Sequence, residues 1–165
     1  MHLYHLKFLF GFSMFKYLNL KTMIANAIIK IATDSYTNIE GSRSFFCKII
    51  NLDIAVIAIS SNDVSTHPED SFENMKALSA DKKLPFPYLY DETQEVAKAY
   101  DAACTPDFFG FNSELGLQYR GRLNNKRESP TEIRRELYSA MIEIAKSGKG
   151  PREQIPSMGC SIKWK

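Results

Sequence analysis

Asp53-Ile54-Ala55-Val56-Ile57-Ala58-Ile59-Ser60 is a short unbroken apolar run, rich in β-branched residues and closed by the polar Ser60-Ser61-Asn62-Asp63. A strand with only one buried face alternates apolar and polar residues. A strand buried on both faces does not, and that is the signature of a parallel sheet covered by helices. Downstream, Pro68 is well placed to open a helix over 69–82, whose face is Phe72, Met75 and Leu78. A short strand over 86–90 follows, with Pro85 and Pro87 at its entry. Val96, Ala97 and Tyr100 share one side of a short helix over 93–100. The stretches 107–112 and 115–120 read as two strands joined by the two residues Ser113-Glu114, a length that suits a hairpin. A long amphipathic helix over 130–146 presents Ile133, Leu137, Met141 and Ile144, and Ser147-Gly148-Lys149-Gly150-Pro151 closes it.

Upstream, Met23, Ala27, Ile28 and Ile31 recur at helical spacing, which predicts a helix over 22–36, followed by a turn at 38–43. The order from residue 22 is then α, β, α, β, α, β, β, α. Strand–helix alternation implies right-handed crossovers and a parallel portion, and the hairpin adds antiparallel strands. The expected architecture is a three-layer α/β domain with a mixed central sheet over 22–150. An atypical N-terminal segment, 1–21, precedes it and a polar tail, 151–165, follows.

Composition limits the function classes. The 165 residues suit one domain with its own core. The 44% hydrophobic and 24% charged residues are ordinary for a globular chain. A net charge of +2, with no basic stripe interleaved with aromatics, gives nucleic-acid binding little support; Arg120, Arg122, Lys126 and Arg127 read as a solvated turn. The apolar stretch 6–20 is interrupted by Lys7 and Lys16 and falls short of the roughly 20 residues that span a bilayer. No convincing cleavage site follows it. The expected location is the cytoplasm, with no membrane partner. His2 and His5 have a metal-like spacing but no further ligands nearby, so no metal is expected.

Three cysteines, Cys47, Cys104 and Cys160, do not make a secreted disulfide framework. In a reducing compartment such thiols are buried, catalytic or redox-sensing. Cys47, inside Phe45-Phe46-Cys47-Lys48-Ile49-Ile50, reads as packed and inert. Cys104 lies two residues before Pro106 and has two readings, a reactive thiol or a small buried apolar residue. Cys160 sits in the tail with Lys163 and Lys165 near it, either a reactive thiolate or an idle exposed thiol. Pro106 opens a strand directly before the hairpin. Either Pro106 simply starts that strand in trans, or the Thr105-Pro106 bond is cis, the minority state of X-Pro bonds; the hairpin directly after it favours cis.

Ile54 to Asp63, Phe86-Pro87-Tyr88-Leu89-Tyr90-Asp91-Glu92 and Ala103-Cys104-Thr105-Pro106-Asp107-Phe108-Phe109 together resemble the peroxiredoxin-like thioredoxin-family proteins of the alkyl hydroperoxide reductase/thiol-specific antioxidant group. The tail Pro156-Ser157-Met158-Gly159-Cys160-Ser161-Ile162-Lys163-Trp164-Lys165 is similar to that group's C-terminal signature. The resemblance covers 53–165. It implies a thioredoxin-like fold and an antioxidant or thiol–disulfide oxidoreductase role, with peroxide or a protein disulfide as substrate. Thioredoxin or glutathione would be the reductant, and no cofactor is needed. It assigns the chemistry here to Cys104 and Cys160, and the substrate surface to Thr105 and Pro106. It also implies a Cys-x-x-Cys at the start of the first core helix. Gly11-Phe12-Ser13-Met14 stands about there without a thiol, 41–51 looks like an insertion, the opening strands are not evident, and Asp101 replaces an expected glycine. A second reading follows from the missing pair: a non-catalytic module whose Thr105–Pro106 surface holds an extended peptide.

Overall fold

The structure, a computed structural model, describes residues 7–8, 27–33, 46 and 48–165. Its centre is β3 (Ile54–Ser60), the run that opened the reading. Ile54, Val56 and Ala58 enter one apolar cluster, while Ile57 and Ile59 enter another. Both faces of this strand are therefore covered, as its lack of alternation requires. Parallel to it on one side runs β2 (Ala27–Thr33), in register from Ala27↔Ile54 to Thr33↔Ser60. On the other side β4 (Tyr88–Tyr90) is also parallel, and β1 (Lys7–Phe8) pairs antiparallel with β4. Beyond β2 lie β6 (Asp107–Asn112) and β7 (Leu117–Gly121), both antiparallel to their neighbours. The sheet order is β1-β4-β3-β2-β6-β7.

The larger cluster lies beneath α1 (Phe72–Lys82), which supplies Met75, and α3 (Glu136–Ser147), which supplies Leu137, Ala140, Met141 and Ile144. All five side chains are 0–1% exposed. The opposite face is covered by α2 (Glu95–Ala99), through Ala97, and by Ile162 of the tail, against Phe109 and Phe111 of β6. The result is the expected three-layer arrangement with a mixed central sheet.

Several local expectations are corrected. The stretch read as a helix over 22–36 is strand β2 at 27–33. Ala27-Ile28-Ile29-Lys30-Ile31-Ala32-Thr33 is itself a short β-branched run, and periodicity alone cannot separate such a run from a helix; the slot between β3 and β6 decides it. An opening strand thus exists and is central. The hairpin turn spans 113–116, not two residues. The Asn112 side chain closes it by accepting the Gly116 and Glu114 amides at 2.8 and 3.2 Å, and Leu115 adopts φ 63°. The last helix begins at Glu136 rather than 130. Asn125 accepts the Arg134 amide at 2.6 Å and donates to the Glu132 carbonyl at 3.0 Å, which holds that stretch as a loop; Ile133 is consequently 46% exposed. Within the stretch 41–51, Phe46 and Ile49 enter the larger cluster, with Phe46 edge-on to Phe86 at 5.2 Å. Cys47 and residues 11–14 lie outside the described residues.

Candidate active site

Ligands of open α/β sheets bind outside the carboxyl ends of the parallel strands. Here those ends are Thr33, Ser60 and Tyr90, where β2, β3 and β4 finish side by side. The chain leaves β2 into residues 34–45, which contain no cysteine. The register of β2 moves the expected Cys-x-x-Cys location from 11–14 to this stretch, and neither segment carries the pair.

Thr105 and Pro106 stand where the sequence put them. The Thr105-Pro106 bond is cis. Cys104 and Thr105 form a two-residue strand, β5 (Cys104–Thr105), which pairs antiparallel with β8 (Cys160–Ser161) of the tail. Cys104 lies opposite Ser161, and Thr105 opposite Cys160. Residues directly opposite share a face of the ribbon, and neighbours along a strand alternate. The two cysteines are therefore brought close but point to opposite faces.

Their surroundings differ accordingly. Cys104 is 8% exposed, and its Sγ donates to the Pro106 carbonyl at 3.7 Å. Burial pushes its thiol up from the ordinary value, and Asp107 adds to the push, while Arg120 opposes it. Cys160 is exposed and free. The two lysines expected to assist it are engaged elsewhere: Lys163 Nζ donates to Ser161 Oγ at 3.5 Å, and Lys165 Nζ to the Glu92 carbonyl at 2.7 Å. Beside Pro106 the surface forms a cleft of about 170 Å³ bordered by Leu123, Asn124, Arg127 and Met158. Among the described residues, no group of three or more His, Cys, Asp and Glu side chains is placed to hold a metal.

Three side chains to which the sequence assigned no role, Asp91, Asn62 and Gln94, organise this edge. Asp91 is 2% exposed; its carboxylate accepts the Ala97 amide at 2.9 Å, the Val96 amide at 3.3 Å and Ser61 Oγ at 2.9 Å. This fixes the start of α2 to the end of β3. Asn62 accepts the Lys163 amide at 2.9 Å. Gln94, 1% exposed, donates to the Ser61 and Lys163 carbonyls at 2.7 and 2.8 Å and accepts the Lys165 amide at 2.9 Å. The polar cluster directly after an apolar strand was the one signal in the sequence; nothing local singled out Gln94.

A mixed sheet covered on both faces, with a cis-proline loop beside the ends of its parallel strands, defines a thioredoxin-like domain. The fold is shared with a thioredoxin-like protein in its oxidized form, at a TM-score of 0.54 and 10% identity over 74% of this chain and 79% of that one. Residues 32–123, more than half of the chain, match the model of the AhpC/TSA family, and the chain belongs to that family. An uncharacterized conserved protein from Geobacillus kaustophilus is 38% identical, with a TM-score of 0.79 over 87% of this chain and 80% of that one. A hypothetical protein from Sinorhizobium meliloti 1021 is 32% identical, with a TM-score of 0.81 over 88% and 83%. No curated protein matches. Among the described residues, no helix is long and apolar enough to cross a membrane.

Proposed function

We propose that the protein is a thiol-dependent redox protein of the cytoplasm in which Cys160 reacts first. The observation that carries this reading is an exposed free thiol directly opposite Thr105, beside Pro106, in a chain of the AhpC/TSA family. The Cys160 thiolate attacks the terminal oxygen of a peroxide, giving a sulfenic acid and releasing the alcohol or water. A thiol of glutathione or thioredoxin then condenses with the sulfenic acid, releasing water and leaving a mixed disulfide. A second thiol attacks that disulfide, regenerates Cys160 and departs as the oxidised reductant. Cys104 takes part as resolving thiol only when β8 lifts, because in the paired ribbon it faces away from Cys160. No metal or organic cofactor enters these steps.

The test is differential alkylation with intact-mass readout, on reduced protein and on protein given a small excess of hydrogen peroxide. Protection of Cys160 after peroxide, reversed by glutathione, is the expected result. A Cys160 that stays fully alkylatable overturns the reading.

A specific observation favours a second reading. Residues 34–45 lack cysteine and burial raises the Cys104 thiol above its ordinary value, so the Thr105–Pro106 surface would hold an extended peptide without exchanging electrons. A Cys104→Ser, Cys160→Ser protein that keeps full function supports it; loss of function sinks it.

A further inference from the structure

The exposed edge of a short strand beside a sheet end is a place where an extended peptide adds by main-chain pairing. In this chain that edge, β5, is already taken by β8. The backbone of the occupant carries a set of hydrogen bonds, beside the side-chain anchors Lys165 Nζ and Ile162. Thr105 Oγ1 donates to the Cys160 carbonyl at 3.4 Å. The Asn62 side chain accepts the Lys163 amide, the Lys163 carbonyl accepts both Gln94 Nε2 and, at 2.8 Å, the Asp63 amide, and Gln94 Oε1 accepts the Lys165 amide. Asn62 and Gln94 are 4% and 1% exposed, so two buried side-chain amides act as the strand neighbour that the tail lacks.

Two positions of the tail are read by shape. A Cβ on Gly159 would overlap the Thr105 carbonyl oxygen and lie 2.7 Å from its carbonyl carbon, so only glycine allows this approach. Ile162, 4% exposed, fills the apolar site made with Ala97, Ala102, Phe109 and Phe111. Cys160, Ser161, Trp164 and Lys165 are exposed. We propose that β5 together with Asn62 and Gln94 is a peptide-docking track, which residues 159–165 occupy as an intramolecular ligand. Its outside partner is an extended peptide with glycine followed three residues later by isoleucine or a similar aliphatic residue. The proposal rests on the peptide-holding reading above and names its occupant. A tethered ligand competes at a high effective concentration, so the track is closed to such a partner until the tail lifts.

The probe is a fluorescein-labelled synthetic peptide of residues 156–165 with serine in place of Cys160, which removes thiol chemistry from the result. It is titrated against the full chain and its Gly159→Val variant, followed by anisotropy. Gly159→Val dislodges the tail and leaves the track intact, so the expected result is binding at least about tenfold tighter than to the unaltered chain, where the tethered copy competes. Adding Asn62→Ala and Gln94→Ala to that variant should abolish the gain. A folded Gly159→Val protein with no gain overturns the occupancy, whereas the cysteine double variant above tests the peptide-holding reading itself. Should Gly159→Val not fold, hydrogen exchange on the unaltered chain decides. Lys163 and Lys165 amides that exchange much faster than the Asp91 amide of the β3–β4 edge support a tail that lifts; exchange only together with it overturns the proposal.

Discussion

Cys104 and Cys160 are separated by one step of a two-stranded ribbon, yet the alternation of side chains gives them opposite environments. The raised Cys104 thiol pKa has a direct consequence. Its thiolate, the form that reacts with iodoacetamide, becomes abundant only above the ordinary value of 9.0. Between that value and its folded pKa the native state holds the proton more tightly than the unfolded chain. The Cys104 contribution to stability is thus full below 9.0 and falls as pH rises through the folded value. Peptide mapping after timed alkylation at about pH 8 should find Cys160 labelled at least tenfold faster than Cys104, the gap narrowing as pH rises. Asp63 behaves in the opposite sense. Hydrogen bonds from the Ser65 hydroxyl and amide hold its carboxyl below the ordinary 3.8. Its contribution is present above 3.8 and is lost as pH falls through the lower folded value. Replacing Asp63 by Asn should therefore lower urea stability near neutral pH, and the difference from the unaltered chain should shrink toward zero as pH falls through the folded value.

Element boundaries were legible where a residue's own chemistry sets them, and less so where a distant side chain does. The β3 run was readable because an apolar β-branched run is a local signal; α1 and α2 were readable as elements, but they begin at Phe72 and Glu95 rather than at 69 and 93, and Pro68 opens a separate 3-10 turn over Pro68–Asp70. The late start of α3 and the four-residue hairpin turn were not readable, because Asn125 and Asn112 set them through side-chain bonds that no periodicity records. The C-terminal end of α2 tells a similar story. Asp101 follows that helix at φ 50°, a left-handed conformation that favours glycine, and the resemblance had marked this position for glycine. Its carboxylate is 95% exposed and reaches Arg120 Nη1 at 3.4 Å, a surface pair of little weight. Asp101→Gly is therefore expected to stabilise the protein by roughly 0.5–1 kcal/mol in urea unfolding. A destabilised variant would mean that the Arg120 contact outweighs the backbone conformation.

Across the whole molecule, Arg122 ties the end of β7 to both the following loop and α3. Its side chain is 6% exposed; Nε reaches Glu136 at 2.6 Å, Nη2 the other Glu136 oxygen at 2.9 Å, and Nη1 pairs with Glu128. Removing only the guanidinium leaves Glu136, 19% exposed, without its partner. Arg122→Met should lower stability, and Arg122→Met with Glu136→Leu should recover much of that loss, as a thermal or urea double-mutant cycle would register. The site obeys the same division between local and distant causes. Thr105, Pro106, Cys104 and Cys160 stand out in the sequence as candidates because cysteine and a proline before a hairpin are rare, local marks. Asn62 and Gln94 do not, because their role is to bond a segment 69–101 residues away.

The sequence by itself determined that β3 is buried on both faces, that strands and helices alternate, and that no Cys-x-x-Cys stands in the chain. Those conclusions follow from residue type and spacing, which act locally. Only the tertiary structure decided that residues 27–33 are a central strand, since their apolar run is neutral between helix and strand until β3 and β6 offer their open edges. It also decided that the tail closes over β5 and that the two thiols face apart, because both depend on a pairing between segments more than fifty residues apart, and register, not composition, sets which way a side chain points.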